Sequence, residues 1–124
     1  MPEKKSRILV AEDEKPIAHA LELKLTSAGF NVTVVGDGEA ALEAIATSNF
    51  DLIILDIMMP KKNGFEVLQA LKDKQNKTPV TIASNLGQPE DLARAKALGA
   101  KDYFIKSDTS LAGIIEHVKS LLEK

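Results

Sequence analysis

The stretch Asp51-Leu-Ile-Ile-Leu-Asp56-Ile-Met-Met-Pro60 is a continuous apolar run that stops on a single carboxylate. A run so short and so rich in Ile and Leu reads as a strand buried on both faces of a parallel sheet. Asp56 then stands at the carboxyl end of that strand, the edge at which open α/β sheets bind their ligands. Pro60 and Gly64 break the strand pattern and make a loop. An Asp in such a place is more often a turn or cap residue, so Asp56 needs company before it reads as a functional group.

Outward from this strand, apolar runs alternate with helical periods. Arg7–Ala11 is a first strand whose exit is Glu12-Asp13-Glu14. A helix follows with Pro16 near its first turn, Ile17, Leu21 and Leu25 four residues apart, and Gly29 to end it. Asn31–Val35 is a second strand, Gly36-Asp-Gly38 a turn, and Glu39 to Thr47 a short helix carrying Ala41, Leu42 and Ile45. Beyond the central strand, Phe65, Leu68 and Leu71 recur at helical spacing between Gly64 and Lys72. Val80–Ser84 is a fourth strand. Pro89, Glu90 and Asp91 open a helix that closes at Gly99, the acids lying where the helix dipole favours them. Asp102–Ile105 is a fifth strand ending on Lys106, and Asp108 or Thr109 can cap a last helix with Leu111, Ile114, Ile115, Val118, Leu121 and Leu122 in one stripe. Five strands alternating with five helices predict a doubly wound parallel α/β sheet. With right-handed crossovers, the flavodoxin-like order 2-1-3-4-5 puts the switch point between strands one and three.

Length and composition bound the chemistry. The 124 residues fit one domain with a real core, spanning residues 1–124. Sixteen Lys and Arg against 18 Asp and Glu leave a formal charge of −2, which predicts neither direct nucleic-acid binding nor a polybasic membrane anchor. With no Cys there is no thiol catalysis and no thiolate metal site. The charged start Met-Pro-Glu-Lys-Lys-Ser-Arg enters a strand of about six residues, too short for a signal or membrane segment, and a cytoplasmic protein is expected.

The predicted strand order brings Glu12 and Asp13 beside Asp56, with Ser84 and Lys106 ending strands four and five on the same edge. Three carboxylates in one pocket raise one another's pKa unless a cation is present, and an all-oxygen cluster suits Mg²⁺. Each residue has a plainer role available: Glu12 to Glu14 as helix N-terminal acids, Ser84 as a turn residue, Lys106 as a solvated strand end. Four of five strands ending on complementary polar groups make independent accidents the weaker account.

On these residues the chain resembles the receiver domains of two-component response regulators, from about Arg7 to Leu122. The resemblance rests on Ile8-Leu-Val-Ala-Glu12-Asp13-Glu14, on Leu55-Asp56-Ile-Met-Met-Pro60 with Gly64, on Ser84, and on Gly99-Ala-Lys-Asp-Tyr103-Phe-Ile-Lys106. It implies that Asp56 accepts a phosphoryl group and that Glu12, Asp13, Asp56 and the Met58 carbonyl hold Mg²⁺. Lys106 and Ser84 would bind the phosphoryl oxygens, and Ser84 and Tyr103 would form the switch. A sensor histidine kinase or histidine phosphotransfer protein would supply the group, and a downstream protein would read the fourth helix, fifth strand and fifth helix. The resemblance implies a phosphoacceptor that assists its own chemistry rather than an enzyme.

The chain departs from the family pattern where Ser107 follows Lys106 in place of the usual Pro. An X-Pro bond tolerates the cis form at about 0.5 to 1 kcal/mol, against roughly 2.5 to 4 for other residues, so the loop after Lys106 is expected to differ. Met58 and Leu86, two residues beyond Asp56 and Ser84, would flank the phosphoryl group in this family, and apolar side chains there predict a long-lived phosphoryl form. Two other functions compete. One is an interaction module with the same fold that works without phosphate. The other is an Asp-nucleophile phosphatase of the haloacid dehalogenase type, which wants a second Asp where this chain has Met58.

Overall fold

The computed structural model describes residues 6–84, 89–106 and 109–122. Leu86, Ser107 and Asp108, each given a role above, lie outside the described residues. The elements run β1 (Arg7–Ala11), α1 (Lys15–Ser27), β2 (Asn31–Val35), α2 (Gly38–Thr47), β3 (Leu52–Asp56), α3 (Gly64–Asp73), β4 (Val80–Ser84), α4 (Pro89–Ala97), β5 (Asp102–Ile105) and α5 (Leu111–Leu122). All four strand pairs are parallel, in the order β2-β1-β3-β4-β5. This is the order the sequence predicts, with β3 central and buried over its whole length.

Each strand divides its side chains between two cores because successive residues point to opposite faces. Leu9, Ile53, Leu55 and Ile82 pack with Ala41, Val67, Leu68 and Ala95 beneath α2, α3 and α4. Ile8, Val10, Leu52 and Ile54 pack with Leu21, Leu25, Ile114 and Val118 beneath α1 and α5. A fully buried Leu or Ile contributes about 1.5 to 3 kcal/mol, so the four apolar residues of β3 anchor both layers.

Local chemistry sets the helix ends. α1 and α4 both close through Gly at a positive φ, +102° at Gly29 and +105° at Gly99, a conformation in which other residues are strained. Phe30 N–H then donates to Leu25 O at 3.1 Å and Ala100 N–H to Ala95 O at 2.9 Å, satisfying carbonyls left over by each helix. α3 opens on a capping box: Asn63 Oδ1 accepts from Glu66 N–H and Glu66 Oε1 from Asn63 N–H, each at 2.9 Å. α2 starts at Gly38 rather than Glu39, capped by Asp37 Oδ1 on Ala40 N–H at 2.7 Å. At α5 the cap is Ser110, whose Oγ accepts from Gly113 N–H at 3.0 Å; Thr109, expected there, sits one residue too early. Within the layer of α2, α3 and α4, Arg94 of α4 stacks on the Phe65 ring of α3 at 4.1 Å. His117 of α5 reaches the Thr81 hydroxyl of β4 at 3.1 Å. Among the described residues no helix is long and apolar enough to cross a membrane.

Candidate functional site

Strand register assembles the site. Ala11 of β1 lies opposite Leu55 of β3, so Glu12 comes level with Asp56. Asp56 lies opposite Ala83, and Ser84 opposite Ile105, so Ser84 and Lys106 each project one step past the strand beside them. The five expected polar residues therefore meet at one edge from four strands. Gly64 keeps the following loop tight. A Cβ there would stand 2.5 Å from Asp56 O and 2.9 Å from Ile57 Cα, and Gly64 N–H donates to Ile57 O at 2.8 Å.

Glu12 and Asp56 are buried, 3% and 4% exposed, while Asp13 is exposed. Lys106, with a side chain only 8% exposed, bridges the two buried acids: Nζ donates to Glu12 Oε1 at 2.8 Å and to Asp56 Oδ2 at 3.2 Å. Each acid also accepts a backbone N–H on its other oxygen, Glu12 Oε2 from Glu14 at 3.1 Å and Asp56 Oδ1 from Met58 at 3.4 Å. Burial pushes the Glu12 carboxyl up; the Lys106 hydrogen bond opposes this, and the Asp56 charge adds to it. For Lys106, burial alone acts downward, but the Glu12 hydrogen bond and the Asp56 and Glu12 charges outweigh it, and its pKa is raised. The ammonium is thus secured in its charged form.

Carboxylate oxygens of Glu12, Asp13 and Asp56 lie within 4.8 Å of one another. Three carboxylates against one ammonium leave a formal charge of −2, which a divalent cation offsets. Hard oxygen donors, one of them solvent-facing, suit an ion such as Mg²⁺ that keeps part of its water shell. The donor set fits. Met58 directs its backbone N–H at Asp56, and the residue is 63% exposed.

Ser84 is fully buried and shares a side-chain hydrogen bond with Tyr103 of β5. Burial raises the Tyr103 phenol, the Ser84 hydrogen bond acts the other way, and the charge of Asp91 on α4 adds to the rise. Tyr103 is half-buried and packs on the core beneath α3 and α4.

Sequence reasoning placed the five polar residues but did not foresee the ion pair from Lys106 to Glu12, which joins groups 94 residues apart. It also read Gly38 only as a turn residue, although that position touches the loop of the site. The capping box Asn63-x-x-Glu66 had a readable signature and was not picked out.

A family profile described as the response regulator receiver domain matches residues 8–119. Among curated proteins, the chain is 40% identical over 100 residues to the transcriptional regulatory protein DltR of Streptococcus agalactiae, covering 81% of this chain and 45% of that protein. It is 38% identical over 100 residues to the cell cycle response regulator CtrA of Brucella ovis, covering 81% of this chain and 43% of that protein. The chain thus spans less than half the length of these relatives. Among solved structures, the receiver domain of Francisella response regulator 1452 superposes with a TM-score of 0.90 at 35% identity, over 96% of this chain and 98% of that one. Chemotaxis response regulator CheY4 of Vibrio cholerae gives 0.88 at 28% identity, over 96% and 100%.

Proposed function

Because the chain belongs to the response regulator receiver-domain family, we propose that it is a phosphoacceptor of a two-component system, with Asp56 as the acceptor. The observation that carries this reading is the buried Asp56 carboxylate held by Lys106 beside the Glu12 and Asp13 oxygens. A carboxylate oxygen of Asp56 attacks phosphorus, the bond from phosphorus to the donor nitrogen breaks with its electron pair on nitrogen, and a phosphohistidine already protonated on its other ring nitrogen leaves as neutral imidazole. An aspartyl phosphate remains.

Glu12, Asp13, Asp56 and the Met58 carbonyl are the groups that would hold Mg²⁺, which when bound supplies charge neutralisation for the phosphoryl oxygens. Lys106, already charged and 3.2 Å from Asp56, is placed to meet a phosphoryl oxygen. Ser84 donates its hydroxyl to a phosphoryl oxygen, and in doing so changes its bond to Tyr103. That couples the group to β5 and α4. Donors of the matching chemistry are phosphohistidines on a sensor histidine kinase or a phosphotransfer protein. A downstream protein reads the face of α4, β5 and α5, and a cytoplasmic location goes with this reading. Residues 1–124 act as one receiver unit.

The test is mass spectrometry after incubation with acetyl phosphate and Mg²⁺. Wild type should gain one phosphoryl group, and Asp56→Asn protein or EDTA-treated wild type none. Wild-type protein that gains none under these conditions would instead be an interaction module working without phosphate.

A further inference from the structure

Gly38 opens α2 and is buried. A Cβ at this position would stand 2.6 Å from Lys62 Cβ and 2.7 Å from the Lys62 carbonyl carbon, closer than real Cβ atoms come to other groups. Part of what it meets is backbone, which cannot swing aside as a flexible side chain does. Gly36, two residues earlier on the same turn, faces open space. Among the described glycines only Gly29 and Gly99 have positive φ, so the Gly38 backbone is one an alanine adopts freely, and alanine is the better helix former. Helix geometry therefore gives no reason for glycine here, whereas the close approach of residues 60–62 does.

The contact belongs to a ring of backbone ties around the acids. Glu12 N–H donates to Val35 O at 3.0 Å, fixing the end of β2 to the end of β1. Gly38 N–H, three residues on, donates to Pro60 O at 3.5 Å, and Lys62 N–H folds back on the same oxygen at 2.7 Å. Lys61 sits at φ 68°, a left-handed turn that brings its ammonium to 4.0 Å from Asp37. Asp37 and Pro60 then line the same cleft of about 470 Å³ as Glu12 and Asp13.

We propose that Gly38 is a positioning residue for the ion site. By letting residues 60–62 seat on the first turn of α2, it holds the loop that carries Met58, the backbone ligand of the proposed site, with Pro60 at the wall of the cleft. The proposal rests on the Mg²⁺-dependent reading of the site.

The experiment compares amide NMR spectra of metal-free wild type, Gly38→Ala, Gly36→Ala and the double variant Gly38→Ala/Lys62→Gly, followed by titration with magnesium chloride. In Gly38→Ala, shift changes should concentrate at Met58–Asn63 while β3 keeps its wild-type amides, and the Mg²⁺ dissociation constant should rise about tenfold, the usual scale for losing a group that orients a metal ligand. Gly36→Ala, at a glycine that lines the same cleft but meets no loop atom, should keep wild-type shifts at Met58–Asn63. Adding Lys62→Gly removes one side chain from the clash and should restore part of the affinity. Wild-type loop shifts and affinity in Gly38→Ala, equal Met58–Asn63 shift changes in Gly36→Ala, or a Gly38→Ala protein that does not fold would each overturn the proposal. Wild type that binds no Mg²⁺ overturns the functional reading and the claim on the ion together, while the metal-free spectra still separate a seated loop from an unseated one.

Discussion

The Ser84 hydroxyl and the Tyr103 phenol are hydrogen-bonded to each other across β4 and β5, one fully buried and the other half-buried. On the proposed reading, a phosphoryl group on Asp56 would compete with Tyr103 for that hydroxyl. It would therefore favour whichever Tyr103 arrangement tolerates the loss, with the shift bounded by that difference in contacts. Ser84→Ala protein should still gain a phosphoryl group, but its Tyr103 ring signals should respond far less than those of wild type. Identical Tyr103 shift changes in the two proteins would show that the signal bypasses the pair.

Asp13 is the exposed member of the three acids, so its removal should cost ion binding with little cost to the fold. Asp13→Asn should weaken Mg²⁺ by about tenfold or more and leave the urea midpoint within error of wild type. Unchanged affinity by calorimetric titration places the ion elsewhere.

Lys106→Met leaves two buried carboxylates without their shared cation, a change of the kind that costs about 3 to 5 kcal/mol. The cost depends on pH with a definite sign. Lys106 lowers the Glu12 pKa by its hydrogen bond and its charge, so without it the already raised Glu12 rises further. An acid whose folded pKa lies above its unfolded value is least destabilising below the unfolded value, and stability falls as pH climbs through the window up to the folded one. Metal-free Lys106→Met should therefore lie closer to wild type in urea midpoint at about pH 4 than at about pH 8. Parallel midpoint profiles for the two proteins would contradict the geometry of the pair.

The Met58 side chain offers no group able to orient an attacking water, and the residue is 63% exposed at the start of the site loop. Met58→Asn supplies such a group and should shorten the lifetime of the aspartyl phosphate, on the order of tenfold. Decay of the intact mass in Mg²⁺ buffer measures it, and equal or slower decay in the variant refutes the role.

Asp56 was legible in the sequence because a buried strand announces itself by composition, and the point where it stops is fixed by the first charge. Glu12, Ser84 and Lys106 followed from the strand order, since parallel register carries each strand end to the same edge. What the ends do to one another was not legible. Lys106 could as well have faced solvent, and only the packing that leaves its side chain 8% exposed turns it onto Glu12. Gly38 was hidden for another reason: Gly36-Asp-Gly38 is equally a good turn, and nothing local separates a glycine that faces open space from one pressed against Lys62. The cap of α5 missed by one residue, because Thr109 and Ser110 offer the same hydroxyl chemistry side by side.

On the proposed reading, the bridge from Lys106 to Glu12 and Asp56 would make the lysine and the ion rivals for the same oxygens. Each carboxylate oxygen turned to a cation would be one that Lys106 must share or give up, so an ion held there would free the ammonium for a phosphoryl group. Linkage would make the effect reciprocal: a phosphoryl group that drew Lys106 away from Glu12 would leave that acid better able to hold the ion. Loss of the phosphoryl group would return the lysine to Glu12 and weaken the hold on the ion. On that reading, the order of assembly at this edge would follow from a 2.8 Å contact between residues 94 positions apart.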